Sequence, residues 1–548
     1  MFTSPTLSPA PEAAAAAAGL APYAGAFGRA QAGHLLRRAM FGPTNAEIDR
    51  AAAQGLSATL TQLLAPGTPP PPPVNHNNFP DPNVPAGQTW VNTRFSDTVD
   101  VGMYRWPSLR GWYFQNLLEG QFSLMDKMAV FWMNHFGMAD VGDHRVQYDY
   151  IQMFRGWGAG NLRTILQEIT VHPAMLKFLN GRYSKMPTPD ENYARELIEL
   201  FTIRRGPQVN APGDEYNDYT HYTQQDIIAA AHVLTGWRVR GMWSSEDDTV
   251  ETYWQDSWHD TAPKQFSPRF GNAVIQNNGP EEYKDLIDLI LAQAETSRSI
   301  ARRLYRFFVF SDIPAAVERD VIEPLAALLR NNDWNLAPAL RALLGSQHFF
   351  DMSVRGPMIK MPYEYVIGVL RPLGGFGHLG FDLETAYSMG NTLHWLSRNM
   401  EQDFLYLPTV SGWPAYYQAP GYFRNWISST TLQKRQEFVN AATGYGVWTA
   451  GSGRPLDFLA FLNSLSNRFD VNAMIQEIAE IFLPRPLDAS QLVVLKAALL
   501  GDLEDMEWTN QMLLLQDSPG NPDVYLPIQN KLKAFLRDLL GTAEFHLQ

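Results

Sequence analysis

The chain has no cysteine in its 548 residues. That absence excludes disulfides, zinc–thiolate sites, iron–sulfur clusters and a thiol nucleophile, and it fits a reducing or an oxidising compartment equally. Long apolar runs are also missing. No uninterrupted stretch approaches the roughly 18 residues that span a bilayer, so no transmembrane segment is expected. Residues 13–18 are all alanine, but Glu12 precedes them and the first basic residue is Arg29. A secretory signal carries its basic residues ahead of the apolar stretch, so no export signal is legible and the residues alone point to the cytoplasm. There is no excess of positive charge: the formal net charge is −13. Nucleic acid and anionic lipid, which call for clustered Lys and Arg, are thereby excluded as partners. Gly-x-x-x-x-Gly-Lys-Ser/Thr, His-Glu-x-x-His and Gly-x-Ser-x-Gly are absent as well. No nucleotide or nicotinamide cofactor is expected, and zincin and serine-elbow esterase mechanisms lack their motifs.

Aromatic side chains are abundant, with 15 Trp, 22 Tyr and 30 Phe. Such chains bury large cores or line pockets with rings. The pattern predicts a mostly α protein: a multi-helix globular body with long aromatic, Gly/Pro-rich loop excursions and at most a small β-hairpin. An Ala/Gly/Pro-rich arm covers residues 1–28 and N-terminal helices cover 29–68, with helices expected at 33–40 and 45–64. Thr44 and Glu47 can form a capping box for the second. A proline-rich insert at 69–100 opens with five consecutive prolines, read as a stiff spacer. Residues 101–240 form a helical core, 241–280 a loop or hairpin excursion and 281–372 a helical subdomain. Residues 373–430 form an aromatic loop region and 431–548 a C-terminal helical subdomain. One echo stands out: Leu340-Arg-Ala-Leu-Leu-Gly-Ser-Gln-His-Phe349 resembles Leu536-Arg-Asp-Leu-Leu-Gly-Thr-Ala-Glu-Phe545. Each follows an earlier helical stretch, near 300–310 and 474–483, whose exit carries proline.

The segment Thr188-Pro-Asp-Glu-Asn-Tyr-Ala-Arg-Glu-Leu-Ile-Glu-Leu-Phe201 predicts a helix with Thr188 at the N-cap, Pro189 at N1 and Glu191 at N3. At about 100° per residue, Asn192, Arg195, Glu196 and Glu199 share one face. Arg195 can pair with Glu191 and Glu199 at i±4, but Glu196 has no cation at that spacing. Paired carboxylates suit acid–base work or a metal site.

Several separated motifs, in order, resemble a bacterial family known as "domain of unknown function 1800". They are His34-Leu-Leu-Arg-Arg-Ala-Met-Phe-Gly-Pro-Thr44, Lys127-Met-Ala-Val-Phe-Trp-Met-Asn-His-Phe136, Glu191-Asn-Tyr-Ala-Arg-Glu-Leu-Ile-Glu-Leu-Phe-Thr202, Tyr222-Thr-Gln-Gln-Asp226, Leu234-Thr-Gly-Trp237, His259-Asp260 with Lys264, Lys360-Met-Pro362, and Val410-Ser-Gly-Trp-Pro414 with Trp426-Ile-Ser-Ser429. Met133 departs from the pattern, standing where the family usually has the first His of Trp-His-Asn-His-Phe. The resemblance implies a mostly helical fold and a location in the periplasm or cell envelope. It also implies a co-encoded secreted partner of the "domain of unknown function 1501" family. It supplies no activity.

The residues themselves supply candidates. His135 falls on an apolar stripe with Leu124, Met128 and Phe131, as a packed ligand or base, or as a core histidine. His259-Asp260-Thr-Ala-Pro-Lys264 gathers titratable groups in a non-helical excursion. The expectation is an enzyme acting on an envelope glycan or related polar substrate, with Glu196, His135, His259 and Asp260 as catalytic residues. Arg195, Asn134, Lys264, Trp237 and Lys360 would bind substrate, and Glu199 would ligate a divalent metal if one is used. The alternative is a non-catalytic scaffold or chaperone for the secreted partner.

Overall fold

Caps, prolines and glycines cut the chain into helices along most of its length, as a computed structural model shows for residues 19–77, 81–139, 141–209, 218–375, 380–449 and 452–548. Of the expected arm, residues 1–18 lie outside the described ones. Thr44 and Glu47 form the expected capping box ahead of the helix Asn45–Gln54. That helix does not run on to residue 64. It breaks at Gly55, whose φ of 82° no helix accommodates, and a second helix, Leu56–Leu64, follows.

The helix Met125–His135 lies at the centre, with all of its residues buried. A helix buried on every side must neutralise its own charge. Lys127 does so with the buried carboxylate of Glu364, which also accepts from the Met361 amide at 2.8 Å and the Gln548 side chain at 2.6 Å. Gln548 is thus tied to the core helix through one carboxylate.

The echoed segments occupy equivalent places. The helices Leu336–Leu344 and Pro522–Leu540 both end on a glycine, Gly345 and Gly541. Each glycine amide returns to an arginine carbonyl, Arg341 and Arg537, at 3.0 Å. Beyond the turn, the Phe349 carbonyl accepts from His34 at 3.0 Å and the Phe545 carbonyl from Lys360 at 2.7 Å. The preceding helices match too. Arg38 donates to Phe308 at 2.8 Å and Val309 at 2.6 Å, while Lys360 donates to Phe482 at 3.2 Å. Arg37 reaches Ile481 at 3.2 Å. Buried basic side chains therefore satisfy orphan carbonyls at the ends of the two preceding helices, where the helix dipole also favours a cation, and carbonyls just beyond the turns that close the echoed segments.

Strand content among the described residues is three short antiparallel pairs, in keeping with a mostly helical body. They are Trp237–Arg240 with Glu251–Trp254, Lys264–Gln265 with Val274–Ile275, and Val447–Thr449 with Ser452–Arg454. The segment 373–430, expected as aromatic loop, contains the 17-residue helix Leu383–Asn399, capped by Asp382. This helix packs against Gly102–Glu119, and their closest approach is glycine on glycine. A Cβ at Gly390 would stand 2.1 Å from the Gly111 carbonyl oxygen. Gly390 sits there to admit a neighbouring backbone, not to end the helix.

Candidate functional site

The carboxylate-bearing segment begins later than its sequence suggests. Asp190, not Thr188, is the N-cap, accepting from the Asn192 amide at 2.8 Å, and the α-helix spans Glu191–Glu196. It then widens into a π-helix, Leu197–Thr202. Such a bulge resets the angular spacing, so a 100° wheel does not hold across the join. Arg195 is engaged by Glu191 and by Gln224, each at 3.0 Å. It bridges two helices rather than standing ready as a substrate anchor. Glu199 accepts from the Tyr222 hydroxyl at 2.6 Å and lies 3.7 Å from Arg205. Glu196 accepts no hydrogen bond among the described residues. Half-burial, reinforced by the neighbouring Glu199 charge and opposed by Arg195, pushes its carboxyl up to about 7.

Three expected site residues are instead built into the interior, and a fourth, Trp237, is half-buried against it. His135 is fully buried, with Nε2 at 2.9 Å from the Phe201 carbonyl and its ring among Phe131, Trp132 and Phe136. Burial, aided by nearby Arg303, holds it well below the usual histidine value, so it is a neutral core residue. Asn134 accepts from the Trp413 amide at 2.8 Å, pinning the Ser-Gly-Trp-Pro loop to the central helix. Lys360 is the buried helix-end cation described above, and its desolvation lowers its pKa strongly. Trp237 packs edge-on against Trp254 and Tyr283, with ring centroids 5.3 and 5.6 Å away. Buried and bonded in this way, Asn134, His135 and Lys360 serve as structural groups rather than as catalytic or substrate-binding ones.

The excursion 241–280 does gather its titratable groups. His259 places Nε2 at 2.9 Å from Glu282 and Nδ1 at 3.0 Å from the Thr235 carbonyl, so both ring nitrogens are occupied. Lys264 pairs with the other Glu282 oxygen at 2.5 Å and donates to the Asp260 carbonyl. All three side chains are buried, which makes this a locked base for the loop rather than its reactive edge. The Thr235 hydroxyl donates to the His232 carbonyl at 2.7 Å and accepts from the Asp260 amide at 3.0 Å. Gly236, at φ 101°, lets the His259 and Trp254 side chains approach; a Cβ there would meet them at 3.2 and 3.1 Å.

On this base stands a pair that the sequence reading missed in part. Asp260 Oδ2 lies 2.5 Å from His232 Nδ1. His232 is partly exposed and its Nε2 has no hydrogen bond among the described residues. Burial works to raise the Asp260 carboxyl, but hydrogen bonds from Ala262 and His232 and the nearby Lys264 charge bring it below its ordinary value. It is therefore an ionised acceptor that orients the ring. His232 and Asp260 lie on the wall of a cleft of about 680 Å³, lined also by Asp218, Thr223, Gln225 and Gln265. Gln224 links the Asp218 end to the carboxylate segment. Its amide donates to Asp218 at 3.0 Å and its side chain to Glu191 at 2.7 Å. The signal available for His232 was its place on the helix Gln224–Val233. It follows Ile228 and Ala229 at helical spacing, just before Leu234-Thr-Gly-Trp237.

Among the described residues, no three His, Asp or Glu side chains converge as metal ligands. Glu199 is held by a phenol and an arginine instead, so its proposed ligand role does not fit its neighbours.

Fold and site together define a mostly helical protein with a histidine–aspartate pair on the wall of a cleft of mixed polar and apolar lining. The chain belongs to the family described as "Protein of unknown function (DUF1800)", which matches residues 34–544, nearly the whole chain. No curated protein and no solved structure matches it. No helix among the described residues is long and apolar enough to cross a membrane.

Proposed function

We propose that this protein is a hydrolase of the cell envelope that removes ester substituents from a hydroxyl-rich glycan, with His232 as general base and Asp260 as its orienting partner. The observation that carries the reading is the His232–Asp260 hydrogen bond on the wall of a cleft of about 680 Å³. An imidazole whose Nδ1 is fixed by a carboxylate offers Nε2 to take a proton from water as it attacks a carbonyl. Ser267 lines the cleft too, but its hydroxyl donates to buried Asp226 at 2.8 Å, so the nucleophile assigned here is water. Glycosidic cleavage is the weaker choice. It needs one carboxyl kept protonated beside the bond, and Asp260 is held below its ordinary value. Amide, hydroxyl and carboxylate groups of Asp218, Thr223, Gln225 and Gln265 suit sugar hydroxyls. The envelope assignment follows the family resemblance.

The test is acetate release from O-acetylated peptidoglycan by the purified protein and by His232→Gln. The expected result is release by the native protein and at least a 100-fold fall in the variant at unchanged melting temperature. No release, or equal release by both, overturns the proposal.

A second reading, a scaffold for the co-encoded secreted partner, is favoured by one observation. Signature residues Arg37, Arg38 and Lys360 serve helix ends, and His34 holds the turn beyond another. In that reading, His232→Gln leaves every measurable function intact and partner capture is the readout.

A further inference from the structure

A second concave site lies elsewhere on the molecule. The helices Leu383–Asn399 and Ser429–Thr443 border a groove of about 650 Å³ that shares no lining residue with the His232 cleft. Its floor is apolar, with Met400 and Phe438 buried beneath it. Two large rings on its lining stay in solvent: Trp395 is 58% exposed and Tyr445 64% exposed. Holding rings in water over an apolar floor leaves apolar area unburied, and such patches on a folded chain mark ligand or partner sites.

The chemistry of the lining narrows the occupant. The charged residues there, Lys434 and Glu437, neutralise one another at 2.8 Å, and Gln433 also donates to Glu437 at 2.8 Å. The rim therefore presents no net charge to a ligand, while Asn399 and the Lys434–Glu437 pair offer donors and acceptors for hydroxyls. A ligand that suits exposed rings and a neutral polar rim has one flat apolar face and a hydroxylated edge. A pyranose ring is built that way, with its C–H groups on one face and hydroxyls around its perimeter. Rings such as Trp and Tyr, apolar in body and polar at one end, match both parts at little conformational cost.

We propose that this groove is a binding site for an uncharged oligosaccharide, with Trp395 and Tyr445 as stacking platforms and the Lys434–Glu437 pair with Asn399 as hydroxyl partners. The proposal stands on the groove alone and does not depend on catalysis at His232.

The experiment is titration of the intact protein with chitotetraose, an uncharged N-acetylglucosamine tetramer, followed by calorimetry and tryptophan fluorescence. Saturable binding is expected, weakened at least tenfold by Trp395→Ala and by Tyr445→Ala. Both positions are exposed, so both variants keep the native melting temperature, and His232→Gln keeps native sugar affinity. Absence of saturable binding, or binding that neither variant weakens, overturns the proposal. So does binding confined to an apolar probe such as decanoate.

Discussion

Glu196 shows how one residue's surroundings set its behaviour. Its folded pKa of about 7 lies above the 4.5 of an unperturbed glutamate. Between those values the native protein holds a proton that the unfolded chain has released. Stability therefore falls as pH rises through this window, and the penalty is complete above pH 7. Gln cannot ionise, so Glu196→Gln should gain on the native protein as pH rises. At pH 8 the gain is on the order of 1 kcal/mol, after allowing for solvent screening at a half-exposed site, and it shrinks toward pH 5. Denaturant unfolding at the two pH values measures it, and a variant no more stable than native at pH 8 contradicts the assignment. The unpaired state of Glu196 was legible from its spacing. The burial that raises its pKa was not, because a helical wheel does not say what packs above a face. His135 shows the converse: the apolar stripe was legible, and burial made the residue structural.

At the scale of elements, the repeated helix ends explain what the echo is for. Each copy terminates a helix on glycine and leaves carbonyls inside the protein, where lone acceptors are costly. A single ammonium, Lys360, serves the Phe482 and Phe545 carbonyls together. Lys360→Met keeps much of the volume and removes both hydrogen bonds. It should cost about 2–6 kcal/mol, on the basis of roughly 1–3 kcal/mol for each of the two buried acceptors left unsatisfied. Thermal or denaturant unfolding reads the loss, and a variant within 0.5 kcal/mol of native, roughly the scatter of neutral surface changes, contradicts the capping role. The echo itself was visible in sequence, but its capping partners lie in distant segments at His34 and Lys360. The Glu191 helix illustrates a second limit. Asp190 won the N-cap over Thr188, and the π-turn after Glu196 shifted the face, because both depend on tertiary packing that overrides local preference.

At the scale of the whole molecule, the mostly helical body was legible from periodicity, whereas the hairpin expected within 241–280 begins earlier, at Trp237–Arg240. The helix Leu383–Asn399 was not legible, since Gly390 and its flanking polar residues imitate a loop until Gly111 is seen against it. The candidate site divides in the same way. His259, Asp260 and Lys264 are brought together as expected, whereas Glu282 and His232 join them only through folding. Asn134, His135 and Lys360 belong to the scaffold that holds the cleft. The central claim is that His232 acts as a base at that cleft. Chemical rescue tests it most directly: acetate release by His232→Ala, with and without millimolar imidazole. The account predicts a variant slowed at least 100-fold and restored in part by imidazole entering the vacated space beside Asp260. A variant that keeps the native rate, or a loss that imidazole leaves untouched, would contradict it.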